Sequence, residues 1–289
     1  MAIELSKSAA ATGTSGNSPG RSSGLASGND ALFTLGSLVV CAILIQGIWA
    51  LIIRPHAEAV LSQRTMVSSD NAQHAVLQLR SIYVILKDYE QETAVTLGVW
   101  SLVLLLRQGL AVSRSRKLLE RNYVSASDER VILPEDARAY SRPLESLPHE
   151  EQDTFLPRLL MVALNRFGAT RSVQDAAEAV RDECDFEVSS YDAKLAMIRF
   201  TVWAIPAVGF VGTVRGIGAA LQQAQTAVGG DITGVTLGLG VTFNSTLTAL
   251  VTCIVVMFCM HQLQQAQDRF VLDARMYADR RLIRQMRVM

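Results

Sequence analysis

The chain contains four long apolar runs. The run from Leu32 to Ile53 carries no charge, and a helix of about 22 residues rises roughly 33 Å, enough for the hydrocarbon core of a bilayer. A second run, Thr93 to Val112, is uncharged as far as Leu106. A third begins near Ile198, and a fourth extends without a charge from Ile232 to Met260. The pattern predicts an all-α integral membrane protein with four transmembrane helices.

The segments between these runs are polar but keep a helical spacing of apolar positions. In the middle segment, Phe155, Leu159, Ala163 and Phe167 follow one another at intervals of four residues, with Leu160 beside them, as on one face of a helix. The first thirty residues are rich in Ser, Gly, Ala, Thr and Asn, a composition that predicts disorder. The predicted order is a tail (1–30), TM1 (31–53), an outer loop (54–92), TM2 (93–112), a helical cytoplasmic region (113–197), TM3 (198–228), TM4 (231–260) and a C-terminal cytoplasmic helix (261–289).

Basic residues set the predicted orientation. The stretch from Leu221 to Asp231 has no Lys or Arg, whereas the tail beyond Met260 is rich in arginine. Because basic flanks stay in the cytoplasm, the hairpin between TM3 and TM4 is expected outside and the tail inside. Counting back through the spans places both termini in the cytoplasm.

The composition excludes several classes of protein. The chain is 49% hydrophobic and 19% charged, and 27 basic residues balance 27 acidic ones, which argues against a nucleic-acid binder that depends on excess positive charge. The four cysteines form no CxxC pair, so neither a disulfide framework nor a zinc site is predicted. The four histidines are scattered, and no nucleophile, metal or phosphate motif is present. We therefore expect no enzyme, no metal and no cofactor.

The TM3–TM4 hairpin brings two polar pairs to matched depths. If Gly229-Gly230 is the turn, Thr213 and Thr246 are equally far from it along their helices and should face the same layer. Arg215 and Asn244 are also equidistant from the turn. Each lies two residues, about 200° of helix rotation, from the threonine on its own helix, so the two pairs should point to opposite faces.

Two interpretations of the hydroxyl layer remain open on the sequence. A matched layer of threonines can line a path for ions and water, or each hydroxyl can bond back to its own helix or across to its neighbour. Asn244, Ser245 and Thr248 beside Thr246 favour a wet face, because so many polar groups are costly when dry. No Asp, Glu or His lies in the central portion of any predicted span. A proton carrier would therefore come from another protein.

Other TM3 residues have structural and functional alternatives. Pro206 removes one backbone hydrogen bond and is either a functional hinge or a tolerated kink. Gly212 and Gly216, four residues apart, form a smooth ridge that favours close helix packing. Arg215 is the costliest residue of the hairpin, and three roles fit it: a bond to Asn244, a contact with a neighbouring subunit, or a side chain that snorkels outward.

The sequence of the two spans resembles a known family. Residues 205–217 read IPAVGFVGTVRGI, and residues 243–250 read FNSTLTAL. The Gly-Thr-Val-x-Gly-Ile signature followed by a threonine in the next span is similar to that of the MotA/TolQ/ExbB proton-channel family. The resemblance covers about Ser190 to Gln267, and Tyr191 to Trp203 looks like the branch that contains ZorA-type defence motors.

The resemblance implies a function and a set of partners. In that family, five copies surround a dimer of a single-span protein of the MotB, ExbD or TolR kind, in the bacterial inner membrane. The membrane aspartate of that partner accepts the proton, and ion flow drives rotation or force transmission. Carried over to this chain, Thr213 and Thr246 are the pore-facing pair, with Ser245 and Asn244 beside them on the ion path. Pro206 lies near the place where MotA-like members keep a gating proline.

Four spans favour a MotA-like plan, since ExbB and TolQ have three, although the predicted outer loop of nearly forty residues is longer than expected for MotA. The rival function is a non-conducting membrane scaffold that organises partner helices. It requires no partner carboxylate and predicts no proton flux.

Overall fold

The computed structural model describes residues 23–59, 83, 86, 88–119, 131–224, 229 and 232–288. Contacts divide the chain into a first unit of residues 1–36 and a second unit of residues 37–289. Most of the tail at 1–30, most of the loop at 54–92 and Gly230 of the expected Gly229-Gly230 turn lie outside the described residues. In the first unit, residues 23–36 are helical.

Helix α1 is Ser23–Ile48, and a π-helical turn, Trp49–Ile53, continues it into helical residues that reach Ala59. The helix begins inside the segment that composition predicts to be disordered. A helix that has nucleated on an apolar run propagates at one hydrogen bond per added residue, and Leu25 and Ala26 are good helix formers. In the second unit, Trp49 fastens the end of this span, because its Nε1 donates to the carbonyl oxygen of Leu86 at 2.7 Å.

Among the described residues, four helices are long and apolar enough to cross a membrane. The same part of the chain contains no strand beyond one isolated bridge. The prediction of an all-α membrane protein with four spans is therefore confirmed, and the protein crosses the membrane several times. The candidate spans lie within Leu32–Ala59, Tyr89–Leu118, Val173–Gln222 and Gly238–Gln285.

Three of these helices pack together in the second unit. Helix α2 is Tyr89–Leu118 and begins ahead of Thr93, so it includes Glu90 and Glu92, which hydropathy places in the loop. The polar helices between it and the next span are α3 (Ala137–Glu145), α4 (His149–Gln152), α5 (Phe155–Thr170) and α6 (Val173–Lys194). The remaining spans are in α7 (Ala196–Gln222) and α8 (Thr233–Arg281), followed by a 3₁₀ turn, Ile283–Gln285. We call the end of the bundle near Gln222 and Thr233 the hairpin end, and the opposite end the tail end.

The tail-end helices form a compact layer on α8. The apolar stripe of α5 is fully buried at Leu159, Leu160 and Phe167, as its helical spacing predicts. Arg158 on α5 donates to Glu183 and Glu187 of α6, each at 2.5 Å. Burial by itself lowers the pKa of Arg158, but the hydrogen bonds to Glu183 and Glu187 and the attraction to their negative charges together outweigh it and raise this pKa above its ordinary value. The guanidinium therefore stays charged and holds α5 against α6.

Helix α8 carries the membrane span and the tail-end layer on one continuous helix of 49 residues. Phe270, far beyond the span, is fully buried and meets Phe155 edge-on at 5.8 Å between ring centroids. The strand-like pair Ile132 and Met286 then ties the end of the chain to the segment before α3. The span of α8 and the tail-end layer are thus connected by one continuous helix.

A stripe of glycines lets α7 and α8 approach closely. A Cβ added at Gly209 would lie 2.5 Å from the Cβ of Ala249, and one added at Gly212 would lie 2.5 Å from the Cβ of Ser245. At Gly216 it would meet the carbonyl oxygen of Gly238 at 2.8 Å. Real Cβ atoms do not tolerate such distances, so the stripe fixes how near the two backbones lie.

Replacing Gly212 by alanine should destabilise the protein by about 1–3 kcal/mol, because the new methyl group overpacks the contact with Ser245. The measurement is thermal unfolding of the detergent-solubilised chain. Gly218→Ala is the matched control, since it lies on the same helix and a Cβ there meets no heavy atom within 4 Å. Equal unfolding temperatures for the two variants would contradict the close-approach account.

Candidate functional site

The threonines expected to share a layer are in direct contact. The Oγ1 atoms of Thr213 and Thr246 lie 2.6 Å apart, and both side chains are half-buried. Thr213 Oγ1 also lies 3.1 Å from the carbonyl oxygen of Gly209, and Thr246 Oγ1 lies 3.3 Å from that of Thr242. The pair therefore joins α7 to α8 and also bonds back to each helix.

Counting protons shows that these three hydrogen bonds cannot form at once. Two hydroxyl groups carry two protons, whereas the mutual contact and the two back-bonds require three. The pair therefore has two hydrogen-bond directions: Thr213 donates to Thr246 and Thr246 to Thr242, or Thr246 donates to Thr213 and Thr213 to Gly209. In either direction, one of the two hydroxyls no longer donates to a carbonyl of its own helix.

Ser245 and Asn244 do not join this pair. Ser245 is 1% exposed and packs on the open face of Gly212, and its Oγ accepts a hydrogen bond of 3.3 Å from Gln91 Nε2 of α2. Asn244 is half-buried and lies about 100° around α8 from Ser245. Of the four predicted pathway residues, the structure brings Thr213 and Thr246 together and turns Ser245 toward α2.

Arg215 has a counter-charge within its own chain. Its Nε lies 2.6 Å from Oε1 of Glu90, and its Nη2 donates to Oε2 of the same carboxylate at 2.8 Å. Asp88 is 3.7 Å away. The fork-like contact with one carboxylate joins α7 to the first turn of α2. None of the three roles left open by the sequence describes this ion pair.

The first turn of α2 reaches all three other spans. Glu90 pairs with Arg215 of α7, Gln91 bonds Ser245 of α8, and Glu92 accepts a 2.9 Å hydrogen bond from Arg54 at the end of the first span. Residues 90–92 differ in height by about 3 Å, so their partners lie at nearly one depth. We call this set the polar layer; its members are Arg54, Glu90, Gln91, Glu92, Thr213, Arg215, Ser245 and Thr246.

Sequence reasoning missed the acidic part of this layer. It placed Glu90 and Glu92 in a solvated loop, because hydropathy starts the second span at Thr93. The available signal was charge: an arginine in the third span requires a nearby acid, and the residues just before Thr93 supply three, Asp88, Glu90 and Glu92. Glu92 is only 5% exposed, and its Oε1 has no hydrogen-bond partner among the described residues.

Pro206 lies within α7, which continues through it. Proline has no N–H, so the carbonyl of Val202, four residues earlier, loses its usual donor. The Cys253 thiol of α8 takes that place, with its sulfur 3.2 Å from the Val202 oxygen. The cost of the proline is thus partly offset from the neighbouring helix, and Cys253 is a contact that sequence reasoning did not find.

A second hydroxyl pair lies nearer the tail end. Ser101 of α2 and Thr201 of α7 are fully buried, with their Oγ atoms 2.7 Å apart. Thr201 is about 18 Å along α7 from Thr213.

Among the described residues, no grouping of His, Cys, Asp and Glu could hold a metal ion.

Thr213→Cys combined with Thr246→Cys should give a disulfide on mild oxidation, because the two Oγ1 atoms are already in contact and an S–S bond needs about 2.05 Å. The native cysteines are first replaced, Cys253 by Ser to keep its donor, and bond formation is read by mobility on a non-reducing gel. Thr213→Cys with Asn244→Cys is the control and should stay reduced. Equal oxidation of both pairs would contradict the geometry.

Cys253→Ala should lower the free energy of unfolding by about 1 kcal/mol, because it leaves the Val202 carbonyl without its donor. Cys253→Ser keeps a donor at the same place and should unfold closer to the wild-type temperature. Thermal unfolding in detergent measures both. A serine variant as unstable as the alanine variant would show that packing, not the hydrogen bond, matters at this position.

Comparison with models of protein families gives a match over the helices that carry the threonine pair. Residues 151–276 match the model of the MotA/TolQ/ExbB proton channel family, a segment that contains α5, α6, α7 and most of α8. No curated protein and no solved structure matches the chain. The chain therefore matches the MotA/TolQ/ExbB proton channel family over residues 151–276, and the family expected from the resemblance is confirmed.

Proposed function

We propose that this protein is the ion-conducting subunit of a pentameric, proton-driven motor in a bacterial inner membrane. Five copies surround a dimer of a single-span partner of the MotB, ExbD or TolR kind, and the partner supplies the membrane aspartate. The family match implies a function of the proton-channel type. The observation that carries the proposal is the hydroxyl pair of Thr213 and Thr246, which lies within the matched segment.

The reversible hydrogen bonds of the pair suit a carrier that changes its protonation state. A charged aspartate only accepts hydrogen bonds, whereas a protonated one also donates. A hydroxyl of the pair can turn its proton from its own carbonyl to the charged form, and its oxygen can accept a hydrogen bond from the neutral form. Each change of charge then alters the aspartate's preference among the subunits, and the subunits move relative to the partner.

The ion pairs within the spans support the assignment of the proton carrier to the partner protein. The acids of the polar layer, Glu90 and Glu92, are each paired with an arginine of the same chain. Both carboxylates are therefore already engaged by groups of this chain. The proton carrier is therefore assigned to the partner rather than to this chain.

The proposed orientation places the hairpin end outside and the tail end in the cytoplasm, with both termini inside. Arg280 and Arg281 in the last turn of α8, and Arg116 and Lys117 in that of α2, lie at the tail end. Basic residues at the ends of spans favour the cytoplasmic side. The tail-end layer, tied to α8, is then positioned to pass movement to a cytoplasmic component.

The second candidate is a non-conducting membrane scaffold. It is favoured by the contacts of Thr213 and Thr246 with each other and with their own helices, which use both hydroxyl protons within the chain, and by the glycine stripe, which is typical of helix packing. The two functions differ in one measurable respect, since a scaffold tolerates an apolar isostere at these positions without a change in proton flux.

Thr213→Val and Thr246→Val should each reduce proton flux about ten- to a hundredfold, because each removes a hydrogen bond to an ionised group, worth about 1.5–3 kcal/mol. Flux is followed with a pH-sensitive dye in vesicles of the native membrane, where the partner is present. Thr→Ser at either position keeps the hydroxyl and should retain most of the flux.

Thr236→Val is the control for a threonine outside the pair, since Thr236 is exposed on α8 and bonds only to its own helix at Ile232 in the described structure. It should leave the flux unchanged. The pentamer should remain intact in every variant, as judged by its mass in detergent. Wild-type flux in both valine variants would exclude the proposed site and favour the scaffold.

A further inference from the structure

Arg215 is an arginine within a candidate span, at a place where an uncompensated charge is costly. Its side chain is half exposed, yet both ends of its guanidinium meet the carboxylate of Glu90, whose own side chain is only 11% exposed. Arg215 lies inside the segment that matches the family, whereas Glu90 lies outside it. The pair thus links the channel-type hairpin to a helix that the family comparison does not describe.

We propose that Arg215 and Glu90 are a positioning pair that holds α7 in register with α2, so that Thr213 stays opposite Thr246. The inference rests on the proposed function, because it assigns the residues that keep the proposed ion-binding pair in place. Neither side chain of the positioning pair contacts the ion in this account. They act through the helix to which they belong.

The glycine stripe explains why α7 needs such a fixed point. Gly209, Gly212 and Gly216 give α7 a smooth face toward α8, without large side chains that would interlock and resist sliding. An axial slip of one helical turn, about 5.4 Å, would place one glycine of the stripe where the next one lies and would separate the two Oγ1 atoms from 2.6 Å to about 6 Å, so their hydrogen bond would be lost. The register of the threonine pair therefore depends on directional polar contacts nearby.

The positioning pair is close enough to supply that contact. A Cβ added at Gly212 would lie 3.2 Å from Cγ of Glu90 and 2.6 Å from Oγ of Ser245. Three helices thus meet beside the residue that precedes Thr213. The guanidinium is planar, and a two-point contact with one carboxylate restricts rotation as well as distance.

Helix α2 is itself held at the same turn. Gln91 bonds Ser245 of α8, and Glu92 pairs with Arg54, so the first turn of α2 is a fixed reference against which α7 is placed. Toward the tail end, α7 begins after the turn at Leu195 and contains Pro206, where one backbone hydrogen bond of the helix is missing. The contact that fixes the register of α7 is therefore assigned to the hairpin end.

The test uses the full chain in its native membrane, with the disulfide between Thr213→Cys and Thr246→Cys as the reporter of register. Arg215→Gln, Glu90→Gln and the exchange Arg215→Glu with Glu90→Arg are compared. All carry Asp88→Asn, because Asp88 lies 3.7 Å from Arg215 and would repel a glutamate there. Proton flux is measured in a second set of variants, which carry the same substitutions at positions 88, 90 and 215 but keep Thr213 and Thr246.

Each single variant should slow disulfide formation at least about tenfold and reduce proton flux to a similar degree, since the loss of a hydrogen bond between charged groups changes an equilibrium by about that factor. The exchange should restore both toward the level of the Asp88→Asn parent. Arg199→Gln is the matched control: it lies on the same helix, and its ion pair with Asp192 is exposed on both sides. It should change neither readout.

A second reporter separates loss of register from loss of fold. Ser101→Cys with Thr201→Cys joins α2 to α7 about 18 Å toward the tail end and should oxidise at the normal rate in both single variants. If it fails as well, Arg215→Lys replaces the glutamine variant; lysine keeps the charge without the fork, and intermediate oxidation at the threonine pair supports positioning.

Wild-type oxidation of the threonine reporter in both single variants, or no recovery in the exchange, overturns the inference. The failure of the proposed function is a different result. If oxidation follows the expected pattern while no variant, including the wild type, carries protons, the positioning pair stands and the channel function falls.

Discussion

The close approach of α7 and α8 is the contact on which the rest of the structure depends. Gly209 and Gly212 bring the helices so near that a methyl group does not fit, and this distance lets the short side chains of Thr213 and Thr246 touch. Longer side chains at the glycine positions would separate the threonines. The same closeness removes the interlocking side chains that usually fix helix register, so polar contacts at one depth take over that role.

Charge burial is the second constraint. The polar layer contains Arg54, Glu90, Glu92 and Arg215 within candidate membrane spans, and each of these charges has a partner of opposite sign on another helix. Pairing avoids the cost of an isolated ion in a medium of low dielectric. It also engages both glutamates within the chain, so the proposed function assigns the response to an outside carboxylate to the hydroxyl pair.

The sequence predicts the fold class, the four membrane helices and the family, because apolar runs of spanning length and the Gly-Thr-Val-x-Gly-Ile segment are strong local signals. It also predicts that Thr213 and Thr246 share a layer, because symmetric counting from a turn requires only two regular helices. It does not predict the partners of Arg215 and Ser245. Those contacts come from α2, whose height relative to the hairpin depends on tertiary packing and leaves no mark on periodicity. The contact between the Cys253 thiol and the Val202 carbonyl was not predicted, for the same reason.

The central claim is that this chain works as a multi-copy channel around a carboxylate that it does not supply. The most direct measurement is the mass of the intact complex after gentle purification from native membranes, with identification of every protein in it. The account predicts five copies of this chain together with a single-span protein that carries one aspartate within its membrane segment. The chain on its own, in any stoichiometry and even when its genomic neighbours are co-expressed, would contradict it.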